Sequence, residues 1–191
     1  MEMTENIKRL LSVKSVADRM SLEWHFPVLP KYIIERDYQM GVEIGVAYAG
    51  HSEYLLSHCP RLKWLIGVDP YKFYNVVWSG IHNQADIDDM FLIAKDTLKH
   101  DKRFLLIRES SNEFFKSNSF LFDFVFIDGD HEYEQAKEDI NNFSTIIKPG
   151  GMLCGHDYDN LPGVTQAVDE FSLKTNKPII KEAGTVWIIN Y

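Results

Sequence analysis

One stretch limits the architecture more than any other: Phe122-Asp123-Phe124-Val125-Phe126-Ile127-Asp128-Gly129-Asp130-His131. The apolar residues from Phe122 to Ile127, broken only by Asp123, read as a strand buried on both faces, the habit of parallel sheets covered by helices. The run then stops on two carboxylates and an imidazole. In open α/β sheets, ligands bind outside the carboxyl ends of the strands. This strand therefore delivers Asp128, Asp130 and His131 to the place where such folds do their chemistry. Asp130 alone has a plainer reading, as a cap for the helix expected to begin near Glu132.

The rest of the chain supplies the partners this strand needs. Met40–Gly45, Leu62–Asp69, Phe104–Ile107 and Met152–Asp157 are further short apolar runs, three of which end on or next to polar groups. Helical spacing separates them. It covers Tyr54, Leu55 and Leu56, stopping before Cys59-Pro60 because Pro60 disfavours helix at Cys59. It recurs at Ile87, Met90, Phe91, Ala94 and Leu98, in a short segment from Ser111 to Phe115, and at Val164, Ala167, Val168 and Phe171. A longer pattern through Tyr133, Ala136, Ile140, Phe143, Ile146 and Ile147 reads as a helix closed by the turn Lys148-Pro149-Gly150-Gly151. Pro178–Ile180 and Thr185–Ile189 lie too close together for a parallel crossover and must pair antiparallel. The expected fold is α/β: a doubly wound, mostly parallel seven-stranded sheet with an antiparallel C-terminal strand, over residues 37–191.

An N-terminal extension, residues 1–36, precedes it. Ile7, Leu10, Leu11, Val16, Ala17 and Met20 predict one or two amphipathic helices there. Trp24-His25-Phe26-Pro27-Val28-Leu29-Pro30 is broken by prolines. Packing on the domain is the expected role of its aromatics, with a substrate pocket or a dimer contact as alternatives. The aromatic segment Tyr71–His82 reads as a lid or substrate wall, or as a flap or dimer surface.

With 20 basic and 28 acidic residues the net charge is −8, so no basic nucleic-acid footprint is present. Cys59 and Cys154 are too few for a disulfide framework. No apolar run reaches transmembrane length, and the first residues lack a signal-peptide pattern. A cytoplasmic protein acting on a small molecule, without nucleic-acid or membrane partners and with a homodimer among its expected assemblies, is the expectation.

The loop Glu43-Ile44-Gly45-Val46-Ala47-Tyr48-Ala49-Gly50-His51-Ser52 joins a strand to a helix. Small residues such as Gly45, Ala47 and Gly50 let backbone approach a ligand. The pattern is not the dinucleotide GxGxxG fingerprint. Glu43 would repel a pyrophosphate, which disfavours an NAD-dependent oxidoreductase, the rival enzyme reading. Asp69, at the end of the second strand, suits an acid accepting ribose hydroxyls. A nucleoside with a cationic tail satisfies both acids, and S-adenosylmethionine is such a molecule.

Val42-Glu43-Ile44-Gly45, Gly67-Val68-Asp69-Pro70, Phe126–His131, Lys148-Pro149-Gly150-Gly151 and Gly155-His156-Asp157, in this order, resemble the class I S-adenosylmethionine-dependent methyltransferases. The chain is similar in particular to the small bacterial O-methyltransferases grouped with the macrocin-type sugar methyltransferases. The resemblance runs from about Gly41 to Tyr191. It implies that Glu43, Gly45 and Ser52 line the methionine and ribose side of the cofactor, with Asp128 closing that wall. Asp69 would bind the ribose, and Glu109 and Ser110 would flank the adenine. In metal-dependent relatives the acids ending the fourth and fifth strands hold a divalent cation such as Mg²⁺. Here these are Asp128 and Asp157, and His156 stands where the sugar enzymes have Glu. The resemblance also implies His131 as general base, beside Asp128. The family pattern has glycines where Ala47 and Ala49 stand.

Methyl transfer to oxygen is an in-line displacement that needs alignment and removal of the hydroxyl proton. An imidazole of near-neutral pKa suits that task. A hard cation on carboxylates would acidify a coordinated hydroxyl. A module that binds cofactor or partner without catalysis is the remaining alternative.

Overall fold

The computed structural model describes residues 25–74 and 81–191. The helices expected between Thr4 and Met20, and residues 75–80 of the aromatic segment, lie outside the described residues. The elements run α1 (Val28–Glu35), β1 (Met40–Ile44), α2 (Gly50–His58), β2 (Trp64–Val68), α3 (Gln84–Thr97), β3 (Phe104–Ile107) and α4 (Ser111–Ser117). They continue with β4 (Phe122–Ile127), α5 (Tyr133–Ser144), β5 (Ile147–Gly155), α6 (Pro162–Thr175), β6 (Ile180–Glu182) and β7 (Val186–Asn190). The 7-stranded sheet has the order β3-β2-β1-β4-β5-β7-β6. β3, β2, β1, β4 and β5 are parallel, while β7 runs antiparallel to β5 and to β6. The expected doubly wound sheet is thus the observed one.

β4 sits at the centre because both its faces are apolar. Phe124 and Phe126 point into the core layer that holds Leu29, Ile33 and Leu55. Val125 and Ile127 point into the layer of Ile140, Phe143 and Phe171. Each fully buried side chain of this size contributes roughly 1.5–3 kcal/mol. Asp123 interrupts the run without weakening it. Its carboxylate accepts from Gln39 N (2.9 Å), Met40 N (2.8 Å) and Lys148 Nζ (2.8 Å), fastening the starts of β1 and β5 to β4.

Two expectations are corrected. Lys148–Gly151 does not close α5 with a turn; α5 ends at Ser144 and β5 already begins at Ile147. Phe122 pairs with Ile147 and Phe124 with Met152, so the segment between bulges out of the ladder. It is retained there because Tyr191 answers it on the other side, through Gly150 N–Tyr191 O and Tyr191 N–Gly151 O, both 3.0 Å. The prolines of the Trp24–Pro30 stretch do not exclude regular structure either. Pro27 is the N-cap of α1 and Pro30 falls in its first turn, where a missing N–H breaks no helical bond. Leu29 and Ile33 of α1 are buried, and Tyr32 and Lys31 both bond Glu182 on β6. No helix of the described residues is long and apolar enough to cross a membrane.

Candidate active site

A cavity of about 850 Å³ opens at the carboxyl ends of β1, β2 and β4, lined there by Ile44, Gly45, Val68, Asp69 and Asp128. That size accommodates a drug-sized ligand. Gly45 brings its β1 and β4 walls together: it sits at φ 86°, and a Cβ there would lie 2.0 Å from the Asp128 carbonyl oxygen.

On one side, Asp69 organises the loop after β1. Its Oδ2 accepts from Val46 N (3.0 Å) and Ala47 N (3.1 Å), and its Oδ1 accepts from Tyr71 N (2.8 Å). Burial raises its pKa against these three donors. Ala47 and Ala49 take φ of 48° and 65°, in the left-handed region. This is the physical reason glycines suit those positions. Tyr71 is buried, donates from its hydroxyl to Ala47 O (2.9 Å), and packs its ring on Phe91. Lys72, Phe73, Tyr74 and Ile81 of the aromatic segment continue the wall.

The other side is built from imidazoles and carboxylates. His131 Nε2 lies 3.0 Å from Asp157 Oδ2 and 3.7 Å from Asp128 Oδ1. His156 Nδ1 lies 3.4 Å from Asp128 Oδ1 and 3.5 Å from Asp157 Oδ2. Burial works to lower the pKa of His131, but Asp128 and Asp157 overbalance it and raise the group to about 10. Burial likewise opposes the shifts of Asp128 and Asp157, yet the imidazoles hold both carboxyls below the usual range. Asp157 adopts φ 61°, fixed by its carbonyl accepting from Leu161 N (3.0 Å) and by Asn160 Nδ2 donating to its carboxylate (2.9 Å). Gly163 lets the start of α6 close on His131; a Cβ there would stand 2.6 Å from the His131 carbonyl.

His25 completes the cluster from the N-terminal extension. Its Nε2 is 3.9 Å from Asp128 Oδ2, and its ring lies 4.0 Å from that of His156. It is 4% exposed, and burial lowers its pKa to about 3 against the opposing pull of Asp128. Two groups could seat a cation, His25–Asp128–His156 and Asp128–His131–Asp157, each with its ligand atoms within 4.8 Å of one another. The sequence reading set His25 among packing aromatics. The excess of aromatics around it was the available signal. Asp139 also escaped notice. It shares the buried face of α5 with Ala136 and Ile140, lines the cavity, accepts from Gln135 (3.0 Å), and is raised by burial to about 6. A carboxylate on an apolar stripe was its signal.

Among the other expected residues, Gly45, Ala47, Asp69, Ser110 and Asp128 line the cavity, and Asp130 lines it while accepting from Glu132 N (2.9 Å). Glu43, Gly50 and Ser52 are buried away from that lining. The Glu43 carboxylate is taken by the Ser52 hydroxyl and by His51 Nδ1 at 3.0 Å. Glu109 is exposed and off the cavity, whereas Ser110 caps α4 in a capping box with Glu113. Cys59 and Cys154 are buried free thiols, Cys59 raised to about 11 by burial.

A sequence family described as a methyltransferase domain matches residues 42–158. An uncharacterized protein of Acanthamoeba polyphaga mimivirus is 28% identical over 151 residues, which cover 76% of this chain and 66% of that protein. Among solved structures, the O-methyltransferase NovP superposes with TM-score 0.68 at 14% identity, covering 87% of this chain and 77% of NovP. The O-methyltransferase TomG from Streptomyces achromogenes, solved with SAM, gives 0.65 at 13% identity over 99% and 91% of the two chains. An O-methyltransferase from Bacillus cereus in complex with SAH gives 0.60 at 14% identity over 100% and 93%. At these identities the structures share the fold, and the matched family covers most of the chain. With the sheet order and the strand-end acids, it places this chain in the methyltransferase-domain family, among the class I S-adenosylmethionine-dependent methyltransferases.

Proposed function

We propose that the chain transfers the methyl group of S-adenosylmethionine to a hydroxyl of a small molecule. The cofactor would lie on the Asp69 side of the cavity and the acceptor on the Asp128–His131 side. The observation that carries this reading is a single cavity whose walls include both Asp69 and the Asp128–His131 pair. TomG was solved with SAM and the Bacillus cereus protein with SAH, on the same fold.

The residues present fit the cofactor. A carboxylate offers about four lone-pair sites, and three backbone donors already occupy Asp69. One site on Oδ1 remains, enough for one ribose hydroxyl. Ser110 and the wall of Tyr71, Phe73 and Tyr74 offer polar and aromatic surface for a base. Glu43, locked to His51 and Ser52, would act by holding the first loop in place rather than by touching the ligand.

In the transfer, the acceptor oxygen attacks the methyl carbon, the sulfonium leaves as a neutral thioether, and the hydroxyl proton goes to a base. His131 faces this step. The two carboxylates beside it raise its pKa to about 10, so it can take the hydroxyl proton only after giving up its own. A divalent cation held by Asp128 with its neighbouring imidazole and carboxylate groups would acidify a coordinated hydroxyl.

Calorimetry with S-adenosylhomocysteine tests the cofactor half. Wild type is expected to bind and Asp69→Ala to bind at least about tenfold more weakly, the loss of one charged hydrogen bond. Absence of binding by the folded wild type overturns the reading. Methyl turnover on a panel of phenols and sugars, with and without divalent cation, then identifies the acceptor class.

A further inference from the structure

The imidazole content of the acceptor side separates this chain from a site built for Mg²⁺. We propose that His25 Nε2, Asp128 and His156 Nδ1 form a two-imidazole, one-carboxylate seat for a first-row transition ion of the Zn²⁺ or Fe²⁺ type, with the remaining coordination positions facing the cavity. The proposal deepens the metal-assisted part of the reading above and rests on it for where the ion acts; binding itself is measured without turnover.

Three observations carry it. The first is donor chemistry. Mg²⁺ prefers oxygen ligands in a near-octahedral shell, whereas imidazole suits Zn²⁺, Fe²⁺ and their neighbours, and two His with one carboxylate and open positions is a recognised arrangement for such ions. The second is spacing. Bonds of about 2.1 Å to a tetrahedral ion put neighbouring ligand atoms roughly 3.4 Å apart, and octahedral Mg²⁺ would put them about 2.9 Å apart. Asp128 Oδ1 to His156 Nδ1 is 3.4 Å and Asp128 Oδ2 to His25 Nε2 is 3.9 Å, so each oxygen of the carboxylate faces one imidazole at more than the octahedral Mg²⁺ edge. The third is accessibility. Asp128 lines the cavity while His25 is 4% exposed behind it, so the ion would be backed by protein on one side and open to a ligand on the other.

His25 lies outside the matched span of residues 42–158. Its ring is held edge-on to Phe26 and tilted against His51, so the entry of the chain into α1 places it. The N-terminal extension would then contribute a ligand to a centre otherwise built at the ends of β4 and β5. Asp157 and His131, 3.0 Å apart, adjoin the seat: Asp157 lies 3.5 Å from His156 and His131 lies 3.7 Å from Asp128.

The test uses the full chain stripped of metal with a chelator. Equilibrium dialysis against Zn²⁺ should give one tightly bound ion that millimolar Mg²⁺ does not displace. Zinc K-edge EXAFS on that wild-type complex should count two or more imidazoles. His25→Ala and His156→Ala should each weaken Zn²⁺ at least about tenfold. No tight Zn²⁺ binding, displacement by Mg²⁺, fewer than two imidazoles, or a folded His25→Ala that binds as well as wild type each overturns the proposal. If His25→Ala does not fold, His25→Gln takes its place, and Zn²⁺ binding by it as tight as wild type overturns the proposal. S-adenosylhomocysteine titrated into the metal-free wild type keeps the methyl-transfer reading separate: binding of the cofactor product without Zn²⁺ affinity sinks the metal seat alone.

Discussion

The Asp69 side and the Asp128 side of the cavity hold their carboxylates by opposite means. Asp69 is met by three backbone N–H groups, which carry no titratable charge. Asp128 and Asp157 are met by imidazoles at 3.0 to 3.9 Å, which do. A carboxylate held by backbone amides is a fixed piece of architecture, and its loss unravels a loop. A carboxylate held by imidazoles keeps its partners only within a range of pH, and it can exchange them for a cation or a substrate. One half of the cavity is therefore suited to hold a constant ligand, and the other to a changing one.

The two halves meet at Gly45. Gly45→Val puts a Cβ against the Asp128 carbonyl at a φ of 86°. We expect a loss of about 3 kcal/mol or more in urea unfolding, since strain and overlap add. A loss below about 1 kcal/mol, the ordinary range for point mutants, would show that the two strand ends are not rigidly joined.

Next in size is the contrast between the acids. Asp69→Ala orphans three backbone donors and should cost about 2 kcal/mol. Asp128→Asn, whose side chain is 24% exposed and whose ion pairs water can replace, should cost about 1 kcal/mol or less at neutral pH. Equal losses in the same denaturation series would erase the distinction between the halves.

A pH series sharpens it further. The folded-state pKa of His131 is raised from 6.5 to about 10, so the folded chain holds a proton that the unfolded chain releases. Its contribution is complete below 6.5 and declines as pH rises towards 10. Wild type should lose stability across that window, and His131→Gln should show a flatter profile. Asp69, raised by burial, acts in the same sense but only in the acid range: its protonation on acidification favours the folded state. A His131→Gln profile as steep as wild type would remove His131 as the source of the slope.

The smallest expected effect is a gain. Ala47 occupies the left-handed region at φ 48°, and Ala47→Gly relieves that strain at the cost of a more flexible unfolded chain. The net should be a stabilisation of about 0.5 kcal/mol in thermal unfolding. A destabilised variant would mean that the methyl group's packing outweighs the strain.

Much of this molecule is legible in the sequence, and the reason is local. A two-faced apolar strand such as Phe122–Ile127 can be satisfied only at the centre of a covered sheet, and the alternation of strand and helix orders its neighbours. The ends of those strands then bring Asp69, Asp128 and Asp157 to one edge. Helix and strand limits blurred where a distant partner decided them. Ile147 continues the apolar rhythm of α5, yet it joins β5 because Phe122 and the closing Tyr191 bond that stretch as a ladder.

What the chain's order could not reveal was where each ionisable group finds its partner. Glu43 reads as a cavity acid and is instead held by His51 and Ser52, two residues in the first turn of α2. His131 reads as a base of near-neutral pKa, and two carboxylates, one of them 26 residues further along, raise it to about 10. His25 reads as packing and reaches Asp128 across more than 100 residues. Burial follows from short apolar patterns that each segment carries by itself. Charge state and ligation depend on Coulomb and hydrogen-bond interactions that act within a few ångströms, and only the folded chain brings those atoms that close.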